Sequence, residues 1–441
     1  ISCTQYLKQG YSITKDGNNY TVNGTTSGTC NGVSDEQIFP TMGKILVTNS
    51  IEDDKVQVYT LVVTYKDTGT DQSIDMNKQF SAKANLVNPS TFNPYVGSML
   101  NSVIIGSAKN ASESSDATRT TFGSEVTEFT SVSGENERVL NNAPDDYGTS
   151  YYFRGNVIDN YVSFADKTWR IVRVNGDGSV RLVLDDVAKD TSGSTIKTVF
   201  NTNSDDNAYL GYMYGTVGST TYDATHENIN DSTIKTKVDK WYEDNLKTNY
   251  ANYLSDTLFC NDKTLASSSI GSSNTALGYG KNTTYYASTE RLQYSTGTTS
   301  ITTSKPTFKC AESATNDYSR FTVNVSTLSN GNKTNGNLKY PIGLLTADEV
   351  AYAGAYKYHE TNTTYYLYNS SITSSWRLLS PISYFGGSSA YEWSVYGSPG
   401  YIFDNYVYLI GVLRPSINLK AELLVNGGDG TKENPYQIKL S

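Results

Sequence analysis

Residues 151–183 read YYFRGNVIDNYVSFADKTWRIVRVNGDGSVRLV, and their spacing decides the fold. Trp169, Ile171 and Arg173 alternate with Arg170, Val172 and Val174, the period of two that belongs to a strand. Val180 to Leu184 continues the pattern. Asn175-Gly176-Asp177-Gly178 between the two runs is turn chemistry, because Gly accepts positive φ without steric cost. Apolar residues stand on both faces of the first run, so the hairpin is predicted to lie in a sheet covered on both sides.

Strand signals extend in both directions. Residues 1–95 read as a β domain: Lys15 to Asn19 is a turn, Val56 to Tyr65 alternates, and Phe80 to Leu86 offers a returning strand. Residues 96–150, dense in Ser, Thr, Asn, Gly and Glu, read as a connector. The module 151–441 closes with Ala421 to Val425 and Tyr436 to Leu440, a strand pair that ties the C-terminus into the sheet. Two helices are predicted inside it. One runs from Asp231 or Ser232 to about Leu254, from the helical spacing of Ile234, Val238, Trp241, Tyr242, Leu246, Tyr250 and Tyr253. The other starts at Thr346, where Thr346 and Glu349 make a capping box. The rest of about 186–340 reads as long loop insertions. The expected fold class is mainly β, with α+β character in the C-terminal part.

Residues 376–418 hold the candidate site. Trp376-Arg377-Leu378-Leu379-Ser380-Pro381 and Arg414-Pro415-Ser416-Ile417-Asn418 frame a tract of Tyr, Ser, Gly and Asn with two charges, Glu392 and Asp404. Tyr and Trp give large, stiff, amphipathic contact area, and Ser, Gly and Asn give adaptable hydrogen bonds, the composition of antibody loops. Tyr is also a good strand residue, so any half-exposed sheet shows part of this enrichment. The number of rings on Gly-rich turns favours binding.

Composition narrows the rest. A net charge of -9 opposes nucleic acid and anionic membranes as partners, since both need clustered Lys and Arg. No apolar run approaches a membrane span. Tyr numbers 36 against 13 Phe, so the aromatic surface carries polar tips and suits wet β faces. The cysteines read as two sequence-local disulfides, Cys3 with Cys30 and Cys260 with Cys310; the alternative is four buried thiols in a cytosolic protein. No zinc site fits, with no CxxC and only His226 and His359. Asn201 to Asp205 alternates oxygen side chains but lacks the Gly and Glu of a calcium loop, so an Asx turn is expected there. The acid pairs Asp145-Asp146, Asp185-Asp186 and Asp205-Asp206 suit solvated turns better than acid–base work. No hydrolase, metalloprotease or nucleotide-binding motif occurs. No enzymatic activity, metal or cofactor is therefore expected.

Two resemblances complete the reading. Tyr59 to Leu86, YTLVVTYKDTGTDQSIDMNKQFSAKANL, resembles the closing strands of camelysin/TasA-like domains of Gram-positive surface fibres, which implies a β-sandwich or jelly-roll-like N-terminal domain with further strands upstream of Ile1. The ordered set formed by residues 151–183, PIGLLTADEVAYAG at 341–354, WRLLSP at 376–381 and LRPSINLKAELLVNGGDGTKENPYQI at 413–438 resembles C-type-lectin-like modules, related to formylglycine-generating enzymes, of Gram-positive surface proteins and of diversity-generating-retroelement variable proteins. This second resemblance implies a scaffold of Trp376, Leu378, Ser380, Pro381, Arg414 and Pro415, with Trp393 grouped beside them. It implies a variable ligand face of Tyr384, Phe385, Tyr396, Tyr401, Phe403, Asp404, Asn405, Tyr406 and Tyr408. Leu413 is one residue more than the family's Gly-Val-Arg-Pro allows, which leaves the register before Arg414 open. The related enzymes use reactive cysteines, and Cys260 and Cys310 fall outside the matching segment. The expectation is an extracellular, cell-surface or pilus-associated adhesin for a protein or glycan. The alternative is a structural fibre subunit that self-associates through the same face. Any membrane anchor would lie outside this chain.

Overall fold

The computed structural model describes residues 2–16, 19–29, 55–60, 93 and 95–440, the last stretch without 125, 127–128, 130–133, 268–276, 293–305, 311–317, 358–360 and 386–388. The fold is mainly β, and the chain divides into two compact units, Ile1–Pro94 and Tyr95–Ser441.

In the first unit, strand Ser2–Leu7 pairs antiparallel with Thr26–Thr29 and Lys55–Thr60. Ser12–Asp16 and Asn19–Asn23 form a hairpin with Asp16 opposite Asn19, where the sequence reads a turn. Cys3 is disulfide-bonded, while Cys30 and the expected strand 80–86 lie outside the described residues.

The second unit holds a ten-stranded sheet and a six-stranded sheet. In the larger one, Lys167–Val174 pairs with Val180–Leu184 in the register Val174 opposite Val180, with a bulge between Ile171 and Arg173. The sheet then continues through Thr149–Gly155 to Arg138–Pro144 on one side and through Ser416–Leu419 to Ile342–Gly343 on the other. Every residue from Trp169 to Val174 and from Val180 to Leu184 is buried. Trp169 meets Trp241 edge-on at 6.1 Å, and Arg181 reaches Glu349 at 2.7 Å, so helices supply cover for this hairpin. Tyr436–Ile438 pairs antiparallel with Val425–Gly427 and parallel with Tyr161–Phe164, which ties in the C-terminus.

Helices are more numerous than the sequence suggests. They are α1 (Leu100–Ser114), α2 (Tyr222–His226), α3 (Thr233–Asn245), α4 (Ala287–Leu292) and α5 (Ala347–Ala353) among the described residues. The stretch 96–150, read as a connector, is part of the second unit. Here α1 buries Leu100, Val103, Ile104, Ala108 and Ala111, and Arg138–Pro144 pairs along its full length with Thr149–Gly155. The insertion 186–340 also contributes α2, α3, α4 and short strands instead of loops alone. α3 ends at Asn245 and not near Leu254, because Tyr250 and Tyr253 turn away to pack on Phe164 at 5.4 and 6.2 Å. α5 is capped as expected: Thr346 Oγ1 accepts from the Glu349 amide and Glu349 Oε2 accepts from the Thr346 amide, each at 3.0 Å. No described helix is long and apolar enough to cross a membrane.

Candidate functional site

The tract between the two frames folds onto the six-stranded sheet. Strand Trp376–Phe385 pairs with Ser389–Val395, which pairs with Ile402–Tyr406, while Thr284–Tyr285 joins the opposite edge of Trp376–Phe385. Proline has no N–H to give the ladder, and the register shifts on both sides of Pro381. Those shifts fix which side chains emerge. Tyr285 stands opposite Ser383, Ser383 opposite Tyr391, and Tyr391 opposite Tyr406, so these four residues form one cross-strand row on one face.

Rings dominate that row. Tyr391 and Tyr406 are 4.4 Å apart, Tyr406 and Tyr408 5.2 Å, and Phe385, two residues beyond Ser383 on the same face, lies 6.4 Å from Tyr285. Phe385 is 50% exposed and Tyr408 42%, and the next residues Leu409 and Ile410 are exposed too. Burial, the Tyr406 hydroxyl beside it and the neighbouring phenols push the Tyr391 phenol up. A second cluster, Tyr396, Tyr401 and Phe403, has centroid separations of 4.9 to 6.2 Å. Phe403 pairs with Ser394, an odd number of residues from Tyr391, so by strand alternation this cluster lies on the opposite face of the ribbon. The rings therefore form two patches and not the one expected.

Two residues named as contacts are not at the surface. Tyr384 is fully buried, with its hydroxyl donating to the Asp205 carbonyl at 3.1 Å and its phenol pushed up to about 12 by burial and then by Asp205. It points away from Ser383, into the module. Asn405 is buried opposite Glu392. Asp404 is part-exposed and paired in register with Trp393, whose ring carries the Lys357 ammonium at 5.1 Å. Burial lowers the Lys357 pKa and Asp404 opposes that shift.

The scaffold residues Trp376, Leu378, Ser380, Pro381, Trp393, Arg414 and Pro415 are all buried. Ser380 Oγ accepts from the Ala347 amide at 3.0 Å and so holds the start of α5. Trp393 Nε1 donates to Ser288 Oγ at 2.9 Å, and that hydroxyl donates to the Pro381 carbonyl. Arg414 lies over the Trp376 ring at 4.7 Å and donates to the Leu184 and Leu367 carbonyls at 3.0 and 2.7 Å. It thereby links the two sheets.

Sequence reasoning missed Tyr285, Tyr391 and Arg377 as parts of the site. Arg377 is buried and donates to the carbonyls of Tyr406, at 2.9 Å, and Leu409, which fixes the turn that carries Tyr408. Burial lowers its pKa to about 10, against the opposing pull of Glu392. Arg377 sits inside the quoted Trp376 frame, and a charge within an apolar strand was the available signal.

A separate concavity, lined by Asp145, Arg173, Arg181, Arg291, Asp348 and Glu349, is charged. Its ions are spent on one another. Arg173 pairs with Asp145 at 2.9 Å and Glu349 at 3.2 Å, and Arg291 pairs with Asp348 and Asp262, each at 2.8 Å. Burial disfavours the Glu349 charge, but Arg181 and Arg173 outweigh it and hold its pKa below the usual range. The Cys260–Cys310 disulfide borders this network. No described group of three His, Cys, Asp or Glu side chains is placed to hold a metal, and His359 lies outside the described residues. Comparison with protein-family models, curated proteins and solved structures finds no match for this chain.

Proposed function

We propose that this protein is an extracellular surface or fibre-associated adhesin that captures a protein or glycan without covalent chemistry. Its C-terminal unit would act as a C-type-lectin-like ligand-binding module. One observation carries the reading: the cross-strand row of Tyr285, Ser383, Tyr391 and Tyr406, extended by Phe385 and Tyr408, is aromatic, partly open to solvent and seated on rigid strands. Part-exposed phenols have little reason to cluster there for stability alone, and their stiff rings lose little entropy when a partner covers them. Diversification of the ligand face, which the family resemblance implies, would fall first on these row positions.

The test is a paired measurement. Wild-type protein is screened on a glycan array and against cell-surface protein fractions, and each captured ligand is re-measured with the Tyr391→Ser, Tyr406→Ser double variant. The expected result is a weakening of about tenfold or more with an unchanged unfolding midpoint. Unchanged capture, or a collapse of the midpoint, ends this reading. Concentration-dependent polymers of wild type that the double variant cannot form would establish the fibre-subunit role instead.

A further inference from the structure

Away from the ring row, a lysine and an asparagine side chain meet inside the second unit in a way that simple packing does not require. Lys263 is 1% exposed, and its Nζ donates to Asn228 Oδ1 at 2.7 Å. The rest of the cage is the Met213 carbonyl at 2.8 Å, the His226 carbonyl at 3.3 Å and the Phe321 ring at 5.5 Å. Both partners are held. The Lys263 carbonyl accepts from the Tyr222 hydroxyl at 2.6 Å, and its amide donates to Ser319 Oγ at 2.9 Å. Asn228 Nδ2 donates to the Tyr318 carbonyl at 3.1 Å, which turns Oδ1 toward the lysine.

We propose that Lys263 and Asn228 join through an intramolecular amide cross-link. The Lys263 nitrogen attacks the Asn228 Cγ, one bond beyond the contact already made. A bond from Nζ to Cγ forms and the Cγ–Nδ2 bond breaks. One hydrogen of the neutral amine passes to Nδ2, which leaves as ammonia. Atoms balance with no oxidant, reductant or further reactant, and Asn228 is only part-buried, so ammonia has a way out.

Three features favour this over a lysine that only caps carbonyls. The attacking group must carry a free lone pair, and burial lowers the Lys263 pKa to about 7, so a large fraction is neutral at neutral pH. Glu392, the acid that opposes this shift, is fully buried, and neither of its carboxyl oxygens has a hydrogen-bond partner among the described residues. Burial raises its pKa well above the usual range, which favours its neutral form and weakens the support it gives the ammonium. Finally, two reactants fixed in contact replace an encounter in solution, which removes most of the entropic part of the barrier.

Mass spectrometry of the full chain decides the matter. After reduction of the disulfides and incubation at mildly alkaline pH, the wild-type protein is expected to weigh one ammonia less than its sequence. Proteolysis should release a branched peptide containing residues 228 and 263. Lys263→Met and Asn228→Ala should each restore the full mass. The wild-type measurement stands alone if either variant fails to fold. A full sequence mass with Lys263 recovered in a linear peptide overturns the proposal. So does an ammonia loss that maps elsewhere, such as a ring closure at Asn175-Gly176.

Discussion

The buried ionisable residues around the ribbon show how single side chains set its properties. Glu392 stands beside Trp393 in a strand where both are fully buried, yet neither of its oxygens finds a hydrogen-bond partner among the described residues. Burial raises its pKa well above the usual carboxylate range, with Arg377 and Lys263 opposing. The native state therefore holds a proton that the unfolded chain releases above about pH 4.5. Stability from this group is complete below the unfolded pKa and is lost as pH rises toward the folded one. Glu392→Gln keeps the shape of the protonated acid and removes the titration. The wild type should lose stability relative to the variant as pH is raised, with the two alike in acid. Urea unfolding of both proteins across that range checks this, and a constant difference would place the Glu392 proton elsewhere. Lys263 is coupled to Glu392, so the two proteins are compared in a Lys263→Met background, where the carboxyl alone differs.

At the scale of elements, some segments were legible and others were not. The hairpin 167–184 was, because alternation and turn residues are local signals, and so was the start of α5, where Thr346 and Glu349 satisfy each other within one turn. α1 was not, because its buried face mixes Val and Ile with Gly and Ala, too small to mark a helical stripe. The ribbon shows the same limit. Its ring content was plain, but the partition into two faces depends on the register of Ser389–Val395 on Ile402–Tyr406, and Tyr285 comes from a distant insertion. The element that most needs outside support is the turn after Tyr406, whose carbonyls rest on Arg377. Arg377→Leu removes the guanidinium donors from both carbonyls and leaves Tyr406 only the bond from the Leu409 amide, at a cost of about 1–3 kcal/mol. Guanidinium unfolding should report that loss, and ligand capture should fall with it, because the loosened turn carries Tyr408. Full stability would show that the turn holds its own shape.

Across the whole second unit, cohesion comes from contacts between residues far apart in sequence. Arg181 reaches Glu349, Arg173 joins Asp145 to Glu349, and Arg291 joins Asp262 to Asp348, so one buried network holds the large sheet, α4 and α5 together. None of these pairings is periodic, which is why composition gave the charges and not their partners. The Cys260–Cys310 disulfide is a long-range link of the second unit that was legible, since sequence-local pairing of few cysteines leaves little choice. It spans a separation of 50 residues and closes the segment containing α4 beside the charged network. In the chain-entropy view, a closed loop of that size restricts the unfolded chain by about 4 kcal/mol. The Cys260→Ser, Cys310→Ser double variant should therefore unfold at a clearly lower denaturant concentration. Its folded state should keep the ring row, so ligand capture below the new midpoint should be unchanged. A variant that stays folded but no longer captures ligand would show that the disulfide shapes the binding face itself.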